Sequence, residues 1–254
     1  MYIIAIDYGP GAGDALVDRL AEALDRTLYE TRARLNSPEG GPAVVGNFAE
    51  IEPAWALAGR LRANEIPPIL LMPEDVESDA HRFFVRSFAL GEAGLTAFSR
   101  QSQIAELAFG EVELILRGAR IRERTEWKHN EERKFSPVRA VVTGGMVITK
   151  TTRTAEPVTT AEREDFVHLY AVGSPALVFR ADALNYRSLG PALQPSAMAN
   201  FETLVDSLRR SLPRARYDER LMNRQARARA LGPSLTENHL DVAVSLLARV
   251  LRRR

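Results

Sequence analysis

The feature that most constrains this chain is a change of hydrophobic period near residue 80. Before it, short apolar runs alternate with helical stripes; after it, strand-like runs follow one another with turns between them. Tyr2–Tyr8 is an apolar run closed by Gly9-Pro10-Gly11, the pattern of a buried strand that ends in a turn. Asp14 suits a helix N-cap, and Leu16, Val17, Leu20 and Leu24 then share one face. Leu28–Leu35 reads as a second, shorter helix, stopped by Asn36-Ser37-Pro38 and Gly40-Gly41. Ala43–Phe48 reads as a strand. Pro53 fits the first turn of a third helix with Ala54, Leu57, Ala58 and Leu61 as its stripe. Ile69–Met72 is a last strand. Residues 1–75 are therefore predicted to be a small β-α-α-β-α-β sandwich domain, and the acidic stretch Pro73–Asp79 a linker.

Residues 80–212 change character. Phe83–Leu90, Leu95–Ser99, Ile104–Phe109, Val112–Arg122, Val138–Thr143, Met146–Thr152, Phe166–Tyr170 and Ala176–Ala181 all read as strands. Gly144-Gly145 marks a tight hairpin, and the charged run Glu123–Lys134 reads as a mobile loop. Phe201, Leu204, Val205, Leu208 and Leu212 then form an amphipathic stripe that Ser196 or Asn200 would cap and Pro213 would end. Short strands followed by one such helix predict an antiparallel β-roll with a capping helix. The arginine-rich tail, residues 213–254, reads as helical throughout. Ser234-Leu235-Thr236-Glu237 forms a capping box before a stripe of Leu240, Ala243, Val244, Leu247, Val250 and Leu251. Both stripes read first as core; of the two, the last is the better interface candidate. The fold class expected is α+β.

The absence of cysteine removes disulfides, thiolate metal sites and cysteine nucleophiles, and fits a reducing, cytoplasmic compartment. No apolar run approaches the roughly 20 residues of a membrane span, and no secretory signal is readable at the N-terminus. With 34 Lys+Arg against 33 Asp+Glu there is no global charge to attract polyanions. Lysine occurs only at positions 128, 134 and 150. A genome that writes its basic residues as arginine, as GC-rich bacterial genomes do, makes arginine clusters less informative than usual.

No catalytic constellation emerges. Gly9–Asp14 lies where a phosphate loop belongs, but Asp14 takes the place of the final glycine and would repel phosphate. His81, His129, His168 and His239 have no metal-ligand spacing. His168 alternates with apolar neighbours, as an outward-facing or hydrogen-bonded strand residue would. The nucleophile elbow G-x-S-x-G is absent, and the nearby carboxylates lack a partner that would separate their pKa values. No cofactor, metal or catalytic residue is therefore expected. Arg120, Arg122 and Arg124 share a strand face by the period of two, and Arg216 and Arg220 begin the basic tail. These five residues are the candidate phosphate contacts.

Two resemblances add to this reading. IIAIDYGPGAGDALVDRLAEAL, LYETRARL, PAVVGNF and AWALAGRLRANEIPPILL, in that order, resemble the small fold shared by the Clp protease adaptor family and the C-terminal domain of the ribosomal stalk protein. Asp7-Tyr8 matches the Asp-Tyr that follows the adaptor's first strand, so the resemblance implies a binding role for Asp7. The adaptor's pocket histidine has no counterpart here, because the second helix carries Arg32 and Arg34 instead. Residues 80–212 resemble a PH-like module, a fold that mostly binds proteins or lipids. The function expected is a non-catalytic protein-interaction or adaptor role with a protein or peptide partner. The alternative is binding of nucleic acid or another polyanion through the arginine-rich strand and tail.

Overall fold

The computed structural model describes residues 1–35, 40–135, 149–233, 235–236 and 239–253; within 122–135 and 149–162 it describes the backbone alone. The fold is α+β, with three sheets. The chain divides into two compact units. One comprises Met1–Arg120 with Asp165–Arg254, and the other Ile121–Glu164.

The first 71 residues form β1 (Tyr2–Tyr8), α1 (Asp14–Leu24), α2 (Leu28–Arg34), β2 (Gly41–Phe48), α3 (Ile51–Ala63) and β3 (Pro68–Leu71). This is the β-α-α-β-α-β order the periodicity predicts. The strands pair antiparallel in the order β2-β1-β3. Strand alternation sends Ile4, Ile6 and Tyr8 to one face, where they pack with Val17, Leu20, Leu57 and Leu61 of the helices. Ile3 and Ala5 point the other way, into a second core.

Two short strands follow: β4 (Phe83–Phe84) and β5 (Ser87–Leu90). The predicted strand Phe83–Leu90 is thus broken, and its halves join different sheets. Val85 N–H donates to Val178 at 2.9 Å and Arg86 N–H to Phe98 at 2.7 Å, so the chain crosses between sheets at that bond. β5, β6 (Gly94–Phe98) and β7 (Ile104–Ala108) form an antiparallel meander. The other sheet uses β8 (Val112–Phe135), β9 (Thr149–Ala171), β10 (Leu177–Arg180) and, after α4 (Ala197–Ser211), β11 (Arg216–Leu221). Its order is β11-β8-β9-β10-β4. It is mixed rather than purely antiparallel, because β10 pairs with β4 and β11 with β8 in parallel. α4, capped by Ser196 as predicted, packs Phe201, Leu204, Val205 and Leu208 against Phe88 and Leu95 of the meander and Val167 and Phe179 of the five-stranded sheet.

Three expectations are corrected. Glu123–Lys134 is not a loop but part of β8. Strand pairing uses backbone groups, so a charged sequence does not prevent it when a partner strand is present. The tail is not wholly helical, since Arg216–Leu221 forms an edge strand beside Leu114–Gly118. Gly118 permits this: a Cβ there would run into the Phe166 ring and the Leu221 side chain. Nor is Pro73–Asp79 a free linker, because it is bonded at several points to the tail. The Val138–Thr143 strand, the Gly144-Gly145 hairpin and the Ser234–Glu237 capping box lie at least partly outside the described residues.

The tail ends in α5 (Arg224–Leu231) and α6 (Leu240–Leu251). The predicted apolar stripe of α6 is core, the favoured of its two readings, and not an interface. Val242 through Ala248, with Val250 and Leu251, are all buried. They pack with Ile3, Ala5, Val44 and Leu71 of the first sheet and with Leu114, Leu116, Phe166 and Tyr170 of the five-stranded sheet. α6 is therefore a core helix between two sheets. Arg34 of α2 adds a second tie, donating to the carbonyls of Val44 and, at 3.5 Å, Ala230 at the C-terminal end of α5. Gly232 leaves room for it; its φ is +76° and a Cβ would overlap the guanidinium. Among the described residues no helix is long and apolar enough to cross a membrane.

Leu246 is fully buried in α6. Leu246→Ala should lower the unfolding free energy by about 2–5 kcal/mol in a urea titration followed by circular dichroism. A loss under about 1 kcal/mol would mean that α6 does not fill the core between the sheets.

Candidate functional site

One side of α6 is polar. Asp241, Ser245, Arg249 and Arg252 fall at helical spacing and face the segment after β3 and the start of β8. Arg249 Nη1 lies 2.7 Å from Asp75 Oδ2, and Arg252 Nε 2.7 Å from Glu113 Oε2. The Ser245 hydroxyl accepts from Glu77 N–H at 2.9 Å, and Asp241 Oδ1 lies 2.6 Å from Arg82 Nη1. Burial works against the Asp75 carboxylate, yet the Met72 N–H and the Arg249 guanidinium outweigh it and hold its pKa below the ordinary value.

This seam continues into the interior. The Arg82 side chain is only 4% exposed and meets Glu77 at 3.5 Å, Asp79 at 3.3 Å and Asp241. Burial opposes its charge, but Asp241 and Glu77 more than compensate and raise its pKa. Tyr170 Oη donates to Glu77 Oε2 at 3.0 Å and lies 3.3 Å from His168 Nδ1. The hydroxyl proton is committed to Glu77, so the imidazole Nδ1–H is the donor to Oη. The result is a short relay, His168 to Tyr170 to Glu77. His168 is buried, and burial, followed by the charges of Arg82, Arg180 and Arg120, pushes its pKa well below the ordinary value. Burial, then Glu77, pushes the Tyr170 phenol well up. His168 is therefore an inward, neutral, hydrogen-bonded residue, one of the two alternatives its alternation left open.

The predicted site residues do not converge. Asp7 is half-buried at the end of β1, opposite Pro42 in register. Arg120 is half-buried on β8, near enough to His168 to affect its ionisation. Arg122 and Arg124 lie on β8, with side chains outside the described residues. Arg216 is exposed at the start of β11. Arg220 is turned inward, its guanidinium 2.8 Å from Asp218. Arg220 and Tyr8, the neighbour of Asp7, line one small cavity with Arg227 and Arg229. Arg227 is itself buried, donating to the Ala119 carbonyl. Among the described residues no group of His, Asp and Glu is arranged to hold a metal ion.

The sequence did not point to Glu77, Arg82, Tyr170 or Asp241. They come from three separate segments, the connection from β3 to β4, β9 and α6, and no spacing motif links them. Three large apolar side chains on the helical layer were also missed as surface features: Tyr29 is 83% exposed, Trp55 54% and Leu28 48%. Compared with known proteins, the chain matches no family model, no curated protein and no solved structure.

The buried neutral imidazole has a pH signature. The folded state holds His168 unprotonated, whereas the unfolded chain takes up that proton near pH 6.5. Stability contributed this way is present above about pH 6.5 and is lost as pH falls below it, by up to about 1.4 kcal/mol per pH unit. Urea titrations between about pH 7 and about pH 5 should show this slope in the wild type and a flatter one in His168→Gln. Equal slopes would contradict the assignment.

Proposed function

We propose that this chain is a non-catalytic protein-interaction protein that docks a protein partner on exposed apolar side chains of the helical layer of its first 71 residues. The observation that carries the reading is the exposure of Tyr29, Trp55 and Leu28 on a layer whose inner faces are fully used in the core. Exposed aromatic side chains are costly to keep in water, and Trp and Tyr are the types that dominate binding energy at interfaces. They also sit on a rigid support. Thr27 and Glu30 form a capping box that fixes the start of α2 directly beside Leu28 and Tyr29. The PH-like reading of the β-rich region points the same way by analogy of fold. The relay through His168 supports a structural reading of that histidine, since its imidazole is buried in the seam that joins α6 to the sheets.

A second reading keeps the polyanion alternative, but on different residues. Arg209, Arg210, Arg214 and Arg216 are all exposed around the passage from α4 to β11, and Arg209 stacks over the Tyr217 ring at 4.2 Å. Arg220, Arg227, Arg249 and Arg252 have internal partners and leave this reading.

A pull-down with the purified full chain distinguishes the two. The first reading predicts defined proteins that stay bound at high salt and after nuclease, and that are lost from a Tyr29→Ser/Trp55→Ser variant with unchanged thermal stability. Recovery of nucleic acid alone, released by salt, would overturn it and favour the arginine surface.

A further inference from the structure

A cavity of about 350 Å³ opens where the chain crosses from the five-stranded sheet to the meander. Three guanidiniums line it: Arg86 from the crossing, Arg100 from the turn after β6, and Arg180 from the end of β10. Phe84 and Val178 supply an apolar wall. From this arrangement we propose that the cavity is a binding site for a small organic phosphate, a phosphate group carried on an apolar or aromatic body. The site is separate from the exposed apolar side chains of α2 and α3.

The charge is the first argument. Elsewhere in this fold some guanidiniums meet carboxylates, as Arg249 does Asp75 and Arg252 Glu113, and others, Arg34 and Arg227, are held by backbone carbonyls. Arg86 is held by the Ala183 carbonyl, a neutral acceptor. Neither Arg86 nor Arg100 has an acidic partner among the described residues. Arg180 lies 3.6 Å from Asp79. Three arginines around a partly enclosed space suit a phosphate, which can accept several charge-assisted hydrogen bonds at once.

Rigidity is the second argument. Val85 and Arg86 are bonded to different sheets, and Asn185 N–H donates to the Arg86 carbonyl at 2.7 Å. The Ser99 hydroxyl accepts from the N–H groups of Gln101 and Gln103 at 3.2 and 3.1 Å, which orders the turn that presents Arg100. Arg180 is placed by stacking 4.3 Å above the Phe84 ring. Little ordering is left for binding to oppose. The apolar wall and a volume at the lower end of small-molecule sites favour a ligand with a compact hydrophobic body over the bare ion.

Isothermal titration calorimetry on the full chain, with phenyl phosphate, inorganic phosphate and benzoate as probes, tests this. Phenyl phosphate should bind at least tenfold more tightly than either of the others. Arg100→Ala, on an exposed turn, should weaken it at least tenfold. Arg180→Lys, which keeps the charge and loses the fork, should also weaken it. Arg60→Ala, an exposed arginine of α3, should leave it unchanged. No heat from phenyl phosphate at millimolar concentration would overturn the proposal, as would equal affinity in Arg100→Ala. Equal affinity for phenyl and inorganic phosphate would overturn the part assigned to the apolar wall, and tighter binding of benzoate the choice of phosphate. Thermal midpoints measured on each variant separate loss of the site from loss of the fold.

Discussion

The packing of α6 between two sheets is the constraint on which the larger compact unit depends. Strand β1 is buried on both faces: Ile4 and Ile6 meet the helices of the first layer, and Ile3 and Ala5 meet the core that contains α6. The five-stranded sheet likewise buries Leu114, Leu116 and Phe166 against that core. Each large aliphatic side chain of α6 contributes roughly 1.5–3 kcal/mol when fully buried, and Val242, Val244, Leu246, Leu247, Val250 and Leu251 are all buried. Without this helix the exposed face of the first sheet would have no cover. The residues that close the core thus lie far along the sequence from β1, and folding must bring these distant segments together.

That arrangement explains the buried polar groups around it. A helix enclosed by sheets still has to meet the segment that connects them, and it does so with one polar edge. Asp241, Ser245, Arg249 and Arg252 receive Arg82, Glu77, Asp75 and Glu113. Most of these ion pairs are partly exposed, so the seam contributes specificity of docking more than net stability. His168 and Tyr170 lie at its inner end, where burial and the nearby guanidiniums keep the imidazole neutral, and burial and Glu77 keep the phenol protonated.

Much of the local structure was legible in the residues. The order and positions of β1 through β3 follow from apolar runs, Pro53 and the glycine-rich stops, and α4 from its stripe and Ser196. What the sequence could not show is which apolar face meets which. The stripe of α6 reads the same whether it covers a core or awaits a partner; burial on nearly all sides decided it. β11 was missed because an edge strand of charged residues has no apolar alternation, and its pairing depends on Gly118 admitting Phe166 and Leu221. The candidate arginines divided for a similar reason. Arg220 is drawn inward by Asp218 two residues away, while Arg86, Arg100 and Arg180, far apart in sequence, meet only because the chain changes sheets at Val85-Arg86.

Native-state hydrogen exchange of the full chain tests the central role of α6 most directly. If α6 unites the two sheets, the amides of Ile4 in β1, Leu246 in α6 and Leu169 in β9 exchange through one opening, with the free energy of global unfolding. Exchange of Ile4 through a lower-energy opening, while Leu246 and Leu169 stay protected, would contradict the account. It would mean that the first 71 residues fold and unfold as a domain of their own.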